Sequence, residues 1–259
     1  LSFRELEASL GITLFEREGR RLIPVPEAYY LLAEADEVLD RLSTVSRTMK
    51  SLGDAASGNL KVAAMPGPSS YLFPGYISRV LGDFRDIKLT LTMRSSQQIL
   101  ELVATQSIDF GFADLDFQLE KRKGLLTAET FSARCFCALP QAHPLAQKAA
   151  LSWEDLHDQP MGGLHSAHWL QKRIHMAFQG HGARYNQIIE SQFFIPLLQF
   201  VSQGQCCAIV DPMTVASEQQ SRLNGDALVF RPLAQDLRYD CAIFVPRLRP
   251  MSQLARRVK

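Results

Sequence analysis

Apolar residues recur at helical spacing from the start of the chain, at Phe3, Leu6, Leu10 and Leu14. Gly11 is placed to stop that helix, because glycine takes the left-handed cap at little cost. The run Leu14-Phe15-Glu16-Arg17-Glu18-Gly19-Arg20-Arg21-Leu22-Ile23-Pro24 predicts strand, tight turn and strand, a hairpin with a basic tip. Pro26 suits the first position of the next helix, where a missing N–H costs nothing. From Glu27 to Leu52 the pattern stays amphipathic. Tyr30, Leu31, Ala35, Val38, Leu39, Leu42, Val45, Met49 and Leu52 are interleaved with Glu34, Asp36, Glu37, Asp40, Arg41, Arg47 and Lys50. So long a helix with so narrow an apolar seam predicts pairing with a second helix; packing on its own chain is the other use of such a seam. The small residues Gly53-Asp54-Ala55-Ala56-Ser57-Gly58 predict a hinge.

Beyond the hinge, strand and helix patterns alternate. Strands are expected at Leu60–Met65, Lys88–Met93, Phe110–Phe112, Ala133–Leu139, near Gln187–Glu190, and at Cys207–Val210, Leu228–Pro232 and Tyr239–Val245. Helices are expected at Ser69–Phe84, Ser96–Thr105, Ser152–Leu156, Ala167–Phe178 and Ile195–Gln203. Repeated βα units imply an α/β fold with parallel sheets and ligand crevices at the strand C-terminal ends.

The charge balance limits what this chain can bind. With 28 basic and 27 acidic residues the formal net charge is +1, so affinity for nucleic acid has to come from a local basic patch. The first thirty residues carry one. Five cysteines, an odd number with Cys206 and Cys207 adjacent, fit reduced thiols better than a disulfide framework. No stretch is long and apolar enough to span a bilayer, and no signal-peptide pattern opens the chain, so a cytoplasmic protein is expected. The start at Leu1-Ser2 and the end at Ala255-Arg256-Arg257-Val258-Lys259 read as those of a fragment. No Gly-x-Ser-x-Gly elbow, phosphate-cradling glycine loop or His-Glu-x-x-His sequence is present. No catalytic residue, cofactor or metal is therefore assigned, and no enzyme is expected. His165, His168 and His175 with Cys135 and Cys137 complete no metal-ligand spacing.

Three ordered patterns carry a resemblance. Leu6-Glu7, Leu10-Gly11, Leu14-Phe15 and Arg17, then Gly19-Arg20-Arg21-Leu22 and Pro24, resemble the second half of the helix-turn-helix and the wing of LysR-type transcriptional regulators. Pro26-Glu27 departs mildly from that family's Pro-x-Gly. Gly58-Asn59-Leu60-Lys61-Val62-Ala63-Ala64, Leu72-Phe73-Pro74 and Ile108-Asp109-Phe110-Gly111-Phe112-Ala113 resemble the opening half of its effector domain. His143-Pro144-Leu145-Ala146, Val201-Ser202-Gln203-Gly204 and Ala208-Ile209-Val210-Asp211-Pro212 resemble the second subdomain. The last run is similar to the opine- and basic-amino-acid-responsive branch.

The resemblance implies a winged helix-turn-helix remnant at residues 1–26, a linker and dimerisation helix with its hinge at 27–57, and a two-lobed effector domain, like a periplasmic binding protein, at 58–259. Lobe I takes about 58–132 and 234–259, and lobe II about 133–233. It implies double-stranded promoter DNA, a small-molecule effector and a second copy, as homodimer or homotetramer, as partners, and no membrane. Ser2 and Arg4 would lie on the recognition helix, suited to phosphates more than bases, and Arg20 and Arg21 on the wing along the DNA backbone.

The strand-to-helix turns at Gly67, Ser69 and Ser70 and at Ser95 and Ser96 can hold a carboxylate with free N–H groups and hydroxyls; ordinary helix capping is the alternative use of those serines. The family's cleft lies at these turns. Gly163 and Leu164 belong to the facing loop, and Phe193 stands where the family commonly has a polar residue. Asp114 or Asp211 would answer a cationic group. The effector so implied is a small carboxylate or amino-acid derivative. A stand-alone solute-binding protein of the same two-lobed fold is the alternative function.

Overall fold

The structure, a computed structural model, describes residues 3–19, 21–51, 58–82, 86–115 and 124–259. Two compact units divide at Leu52 and Gly53. The first contains α1 (Phe3–Leu10), the hairpin strands β1 (Phe15–Glu18) and β2 (Arg21–Pro24), and α2 (Pro26–Ser51). Gly11 closes α1 with φ +68°, its N–H reaching the Glu7 carbonyl at 2.9 Å. The Glu7 carboxylate then accepts the N–H groups of Leu14 at 2.7 Å and Phe15 at 3.0 Å, which sets the entry of the hairpin. Along α2 the side chains of Val38, Leu39, Leu42, Val45 and Met49 are all more than half exposed.

In the second unit the chain builds lobe I from β3 (Gly58–Ala64), α3 (Phe73–Leu81), β4 (Ile87–Met93), α4 (Ser96–Ala104), β5 (Phe110–Asp114) and β6 (Leu126–Arg134). It crosses to lobe II for β7 (Phe136–Pro140), β8 (Pro160–Leu164), α5 (Trp169–Gly180), β9 (Asn186–Ser191), α6 (Phe194–Ser202), β10 (Cys207–Val210), α7 (Pro212–Ser221) and β11 (Leu228–Pro232). It returns through β12 (Arg238–Pro246) to α8 (Gln253–Val258). The sheets have strand orders β4-β3-β5-β12-β6 and β11-β7-β10-β8-β9. In each, the βα strands pair in parallel, while the crossing strands β6, β12, β7 and β11 pair antiparallel. The sheets are thus mixed, where βα repetition alone predicts parallel ones. The two crossings lie side by side: the N–H of Cys135 donates to the carbonyl of Leu237 at 2.8 Å.

That bond explains why the strand expected at Ala133–Leu139 is two strands, one per lobe, broken at Cys135. The helix expected at Ser152–Leu156 is a turn instead. Ser152 and Asp155 exchange side-chain bonds to each other's N–H at 3.1 and 3.3 Å, but no helix propagates before Asp158 turns left-handed at φ 55°. The helix expected from Ser69 begins earlier, at Pro66, and passes through one π turn at Pro68–Leu72.

All five cysteines are free and buried. Burial raises every thiol, Cys206 to about 11 and Cys207 to about 12, which makes thiolate chemistry unfavourable at neutral pH.

Candidate functional site

Parallel strands deliver their C-terminal ends to one crevice, and here that crevice is a cleft of about 1230 Å³ between the lobes. Gly67, Ser95, Ser96, Asp114, Leu164, Phe193 and Asp211 line it, with His168, Trp169, Lys172, Arg173, Thr214 and Tyr239.

The turn after β3 is poorer in donors than its sequence suggests. Pro66 and Pro68 carry no N–H, so of its first three residues only Gly67 offers one. Ser69 is buried and its hydroxyl reaches the carbonyls of Ala64 and Met65, both at 2.8 Å. Ser70 donates to the Pro66 carbonyl at 2.8 Å. Neither serine is among the lining residues. Their hydroxyls bond back to backbone carbonyls within their own turn.

After β4 the two serines divide the work. Ser95 caps α4 in a capping box, with its own N–H on Gln98 Oε1 at 3.2 Å and its hydroxyl taking the Gln98 N–H at 3.4 Å. Ser96 Oγ accepts the N–H of Asp114 at 3.2 Å and keeps its hydrogen to donate. The Asp114 carboxylate ends β5 and receives the hydroxyl of Tyr239 and faces Nε2 of His168 at 3.4 Å. Burial, and next the Asp114 charge, push the Tyr239 phenol well above its ordinary range, so Tyr239 keeps its proton and donates it to Asp114.

On lobe II, Gly163 stands behind the wall. A Cβ there would come within 2.5 Å of the Tyr185 hydroxyl and 2.7 Å of Gln171 Oε1. Its role is to admit that polar layer, in which Gln171 accepts the N–H of Leu164 at 3.1 Å. Phe193 precedes α6, held by Ser191, whose Oγ takes its N–H at 3.3 Å. Asp211 caps α7: one oxygen takes the N–H groups of Met213 at 2.8 Å and Thr214 at 3.0 Å, the other the Thr214 hydroxyl. Burial outweighs these bonds and raises its carboxyl to about 6. With three hydrogen bonds from its own helix cap on its carboxylate, Asp211 has less to offer a cation than Asp114, which receives one, from Tyr239. Of the residues assigned to DNA, Ser2 and Arg20 lie outside the described residues, Arg4 is in α1, and Arg21 is exposed at the start of β2.

Sequence reasoning left His168, Trp169 and Tyr239 out of the cleft. His168 caps α5, and Trp169, the residue after it, packs 5.1 Å from the Tyr239 ring. The Trp169 indole nitrogen is buried with no hydrogen-bond partner. A strand-end loop rich in aromatic and polar residues was the available signal.

A two-lobed crevice lined by polar strand ends, on a chain that also carries a hairpin and a long helix, defines a ligand-responsive regulator. Residues 53–259 match the LysR substrate binding domain. Over 251 residues the chain is 30% identical to the regulatory protein NocR of Agrobacterium tumefaciens strain T37, spanning 97% of this chain and 81% of that one. It is 25% identical to the transcriptional activator protein LysR of Escherichia coli K12, over 96% of this chain and 77% of that one. A 143-residue stretch, 55% of this chain and 46% of the relative, is 31% identical to the octopine catabolism/uptake operon regulatory protein OccR of Rhizobium meliloti. In fold it is similar to full-length CbnR complexed with its target DNA, with TM-score 0.71 and 15% identity over 98% of this chain and 85% of that one. The chain belongs to the LysR family of transcriptional regulators. Among the described residues no helix is long and apolar enough to cross a membrane.

Proposed function

We propose that the cleft takes a small effector with an amino-acid head, and that its occupancy sets how the protein acts on promoter DNA. One observation carries the effector reading: Ser96 and Asp114 share a wall. The Ser96 hydroxyl has a hydrogen to give, and the N–H groups of Ser96 and Gln97 open α4 with its positive dipole end. Beside them sits Asp114, whose backbone N–H donates to Ser96 Oγ at 3.2 Å and whose carboxylate lines the same cleft. An α-amino acid carries its carboxylate and ammonium on one carbon, so a donor turn next to a carboxylate suits both. The rest of the effector then meets Phe193, Trp169 and Lys172 on lobe II.

DNA binding is assigned to α1 and the hairpin, with Arg20 and Arg21 on phosphates, and self-association to the apolar face of α2. CbnR, similar in fold, is known in complex with its target DNA, which supports the first. Family membership favours a regulator over a stand-alone solute receptor and over an enzyme, and a cytoplasmic site follows from that role.

Thermal-shift screening against amino acids, N-substituted amino acids and aromatic acids tests the effector, because a ligand of the folded state raises its melting temperature. Calorimetry on Ser96→Ala should then show weaker binding of the best hit. Equal affinity would remove Ser96 from the site. Gel shift against upstream duplex, with Arg20→Ala and Arg21→Ala together, should show a roughly uniform loss on specific and random DNA and a flatter salt dependence. A loss on the specific site alone would mean that the wing reads bases.

A further inference from the structure

We infer that His168 is a positioning residue for Asp114, and that through it helix α5 of lobe II registers what that carboxylate holds. The argument begins with the ring's proton. His168 caps α5 by accepting the N–H of Leu170 on Nδ1 at 3.2 Å. A neutral imidazole with Nδ1 as acceptor carries its hydrogen on Nε2. Nε2 is the atom that faces Asp114 Oδ2 at 3.4 Å, with both side chains largely shielded from solvent. The contact therefore sets the N–H side of the ring 3.4 Å from the carboxylate, reaching from a lobe II helix to the end of a lobe I strand.

Asp114 is held from three sides. Tyr239 on β12 donates to one oxygen, His168 faces the other, and Ser96 takes its backbone N–H. A carboxylate has about four acceptor positions, so two remain toward the cleft. A cationic group of the effector that takes them draws on the same oxygens as His168, and α5 responds. That helix has a second foothold on lobe I: Arg173 donates to the Arg238 carbonyl at 3.1 Å and sits 3.6 Å from Asp240.

His165 provides the internal contrast. It uses the same capping device, accepting the Ala167 N–H on Nδ1 at 3.1 Å. Its Nε2, however, is 3.9 Å from Glu190, an exposed carboxylate of lobe II itself. Capping alone thus does not create the link between lobes; placement at residue 168 does.

This inference deepens the reading of Asp114 as an effector contact, but its test needs no ligand, so the two can fail separately. The test is a set of double-mutant cycles in urea on the whole chain. His168→Asn keeps an oxygen to cap α5 but is too short to reach Asp114. His168→Gln keeps a reaching N–H donor and caps poorly. Asp114→Asn is expected to shift the unfolding constant about three- to tenfold less in the His168→Asn background than in wild type, and as much as in wild type in the His168→Gln background. His165→Asn should show no coupling to Asp114→Asn. Long-range proton–nitrogen NMR should find the hydrogen of His168 on Nε2, with a resonance that moves in Asp114→Asn. Additive effects of His168→Asn and Asp114→Asn, or a proton on Nδ1, would overturn the inference and leave His168 a helix cap.

Discussion

Ser217 on α7 donates its hydroxyl to the carbonyl of Gly67 at 2.6 Å, fastening the helix that follows β10 to the turn that follows β3. This bond joins chain segments far apart in sequence at the floor of the cleft. The same approach leaves no room for a side chain at Gly67, where a Cβ would lie 2.8 Å from Thr214 Oγ1. That hydroxyl is itself committed to Asp211 and cannot swing away freely. Gly67→Ala is expected to cost about 1–3 kcal/mol of stability by overpacking. Urea unfolding would measure it, and a variant as stable as wild type would show that α7 yields.

Three serines separate binding from folding. Ser96→Ala should raise the effector's dissociation constant roughly tenfold or more, as expected for loss of a hydrogen bond to a charged group. Ser69→Ala should instead lower stability and leave the dissociation constant unchanged, because its hydroxyl serves Ala64 and Met65. Ser95→Ala should cost about 1 kcal/mol through the lost cap. Calorimetry and urea titration on the same three proteins decide the assignment. An affinity loss in Ser69→Ala would reopen the turn after β3.

The Asp211 carboxyl supplies a pH dependence. Burial holds it at about 6 in the folded chain against an ordinary 3.8, so the folded state binds this proton more readily than the unfolded one. Its contribution favours folding below about pH 4 and is lost as pH rises through about 6, a change of at most about 3 kcal/mol. Asp211→Asn keeps a capping oxygen and removes the titration. The stability of wild type minus that of the variant should fall between those limits and level off above them. A difference that is flat with pH would show that the carboxyl titrates as in the unfolded chain.

Trp169 makes occupancy visible. Its ring lies in the cleft against Tyr239, and the only other tryptophan, Trp153, is buried against Phe178 at 5.2 Å. Effector binding should change the intrinsic fluorescence of the wild-type chain, and Trp169→Phe should abolish that change. A signal that survives the substitution would have to come from Trp153, which implies a rearrangement deep in lobe II.

On α2, the exposed residues Val38, Leu42, Val45 and Met49 follow the four-three spacing of a coiled-coil seam. Placing two charges there, Leu42→Asp with Val45→Asp, should split the assembly. Light scattering at unchanged mass would rule out this face as the contact.

The sequence made the βα frame legible where its periodicity was strong. β3, β4, α4, α6 and β10 fall close to the expected positions because each is apolar on the face it buries. All of β6 before Ala133 escaped detection because it is an edge strand with most of its residues exposed, and so shows no buried alternation. β8 (Pro160–Leu164) carries two glycines, a composition that suggests a turn; the space at Gly162 is filled by Cys206 and Leu197, and that at Gly163 by Tyr185 and Gln171. In the cleft, Ser95, Ser96 and Asp114 could be placed because they end strands. Which serine has a hydrogen to spare could not, since that depends on whose N–H each oxygen receives. His168 completes no motif in the sequence, and only the position of Leu170 shows that one ring nitrogen is already used.

The two crossings between the lobes, stitched by Cys135 and Leu237, work like the paired knuckles of a door. Two strands fixed side by side resist sliding and twisting of one lobe over the other, and leave rotation about their common line as the soft motion once the ties from Ser217 to Gly67 and from Arg173 to Arg238 yield. Chemically different occupants of the cleft must therefore be distinguished by a single angle, and whatever the rest of the molecule reads from this domain has one coordinate to read.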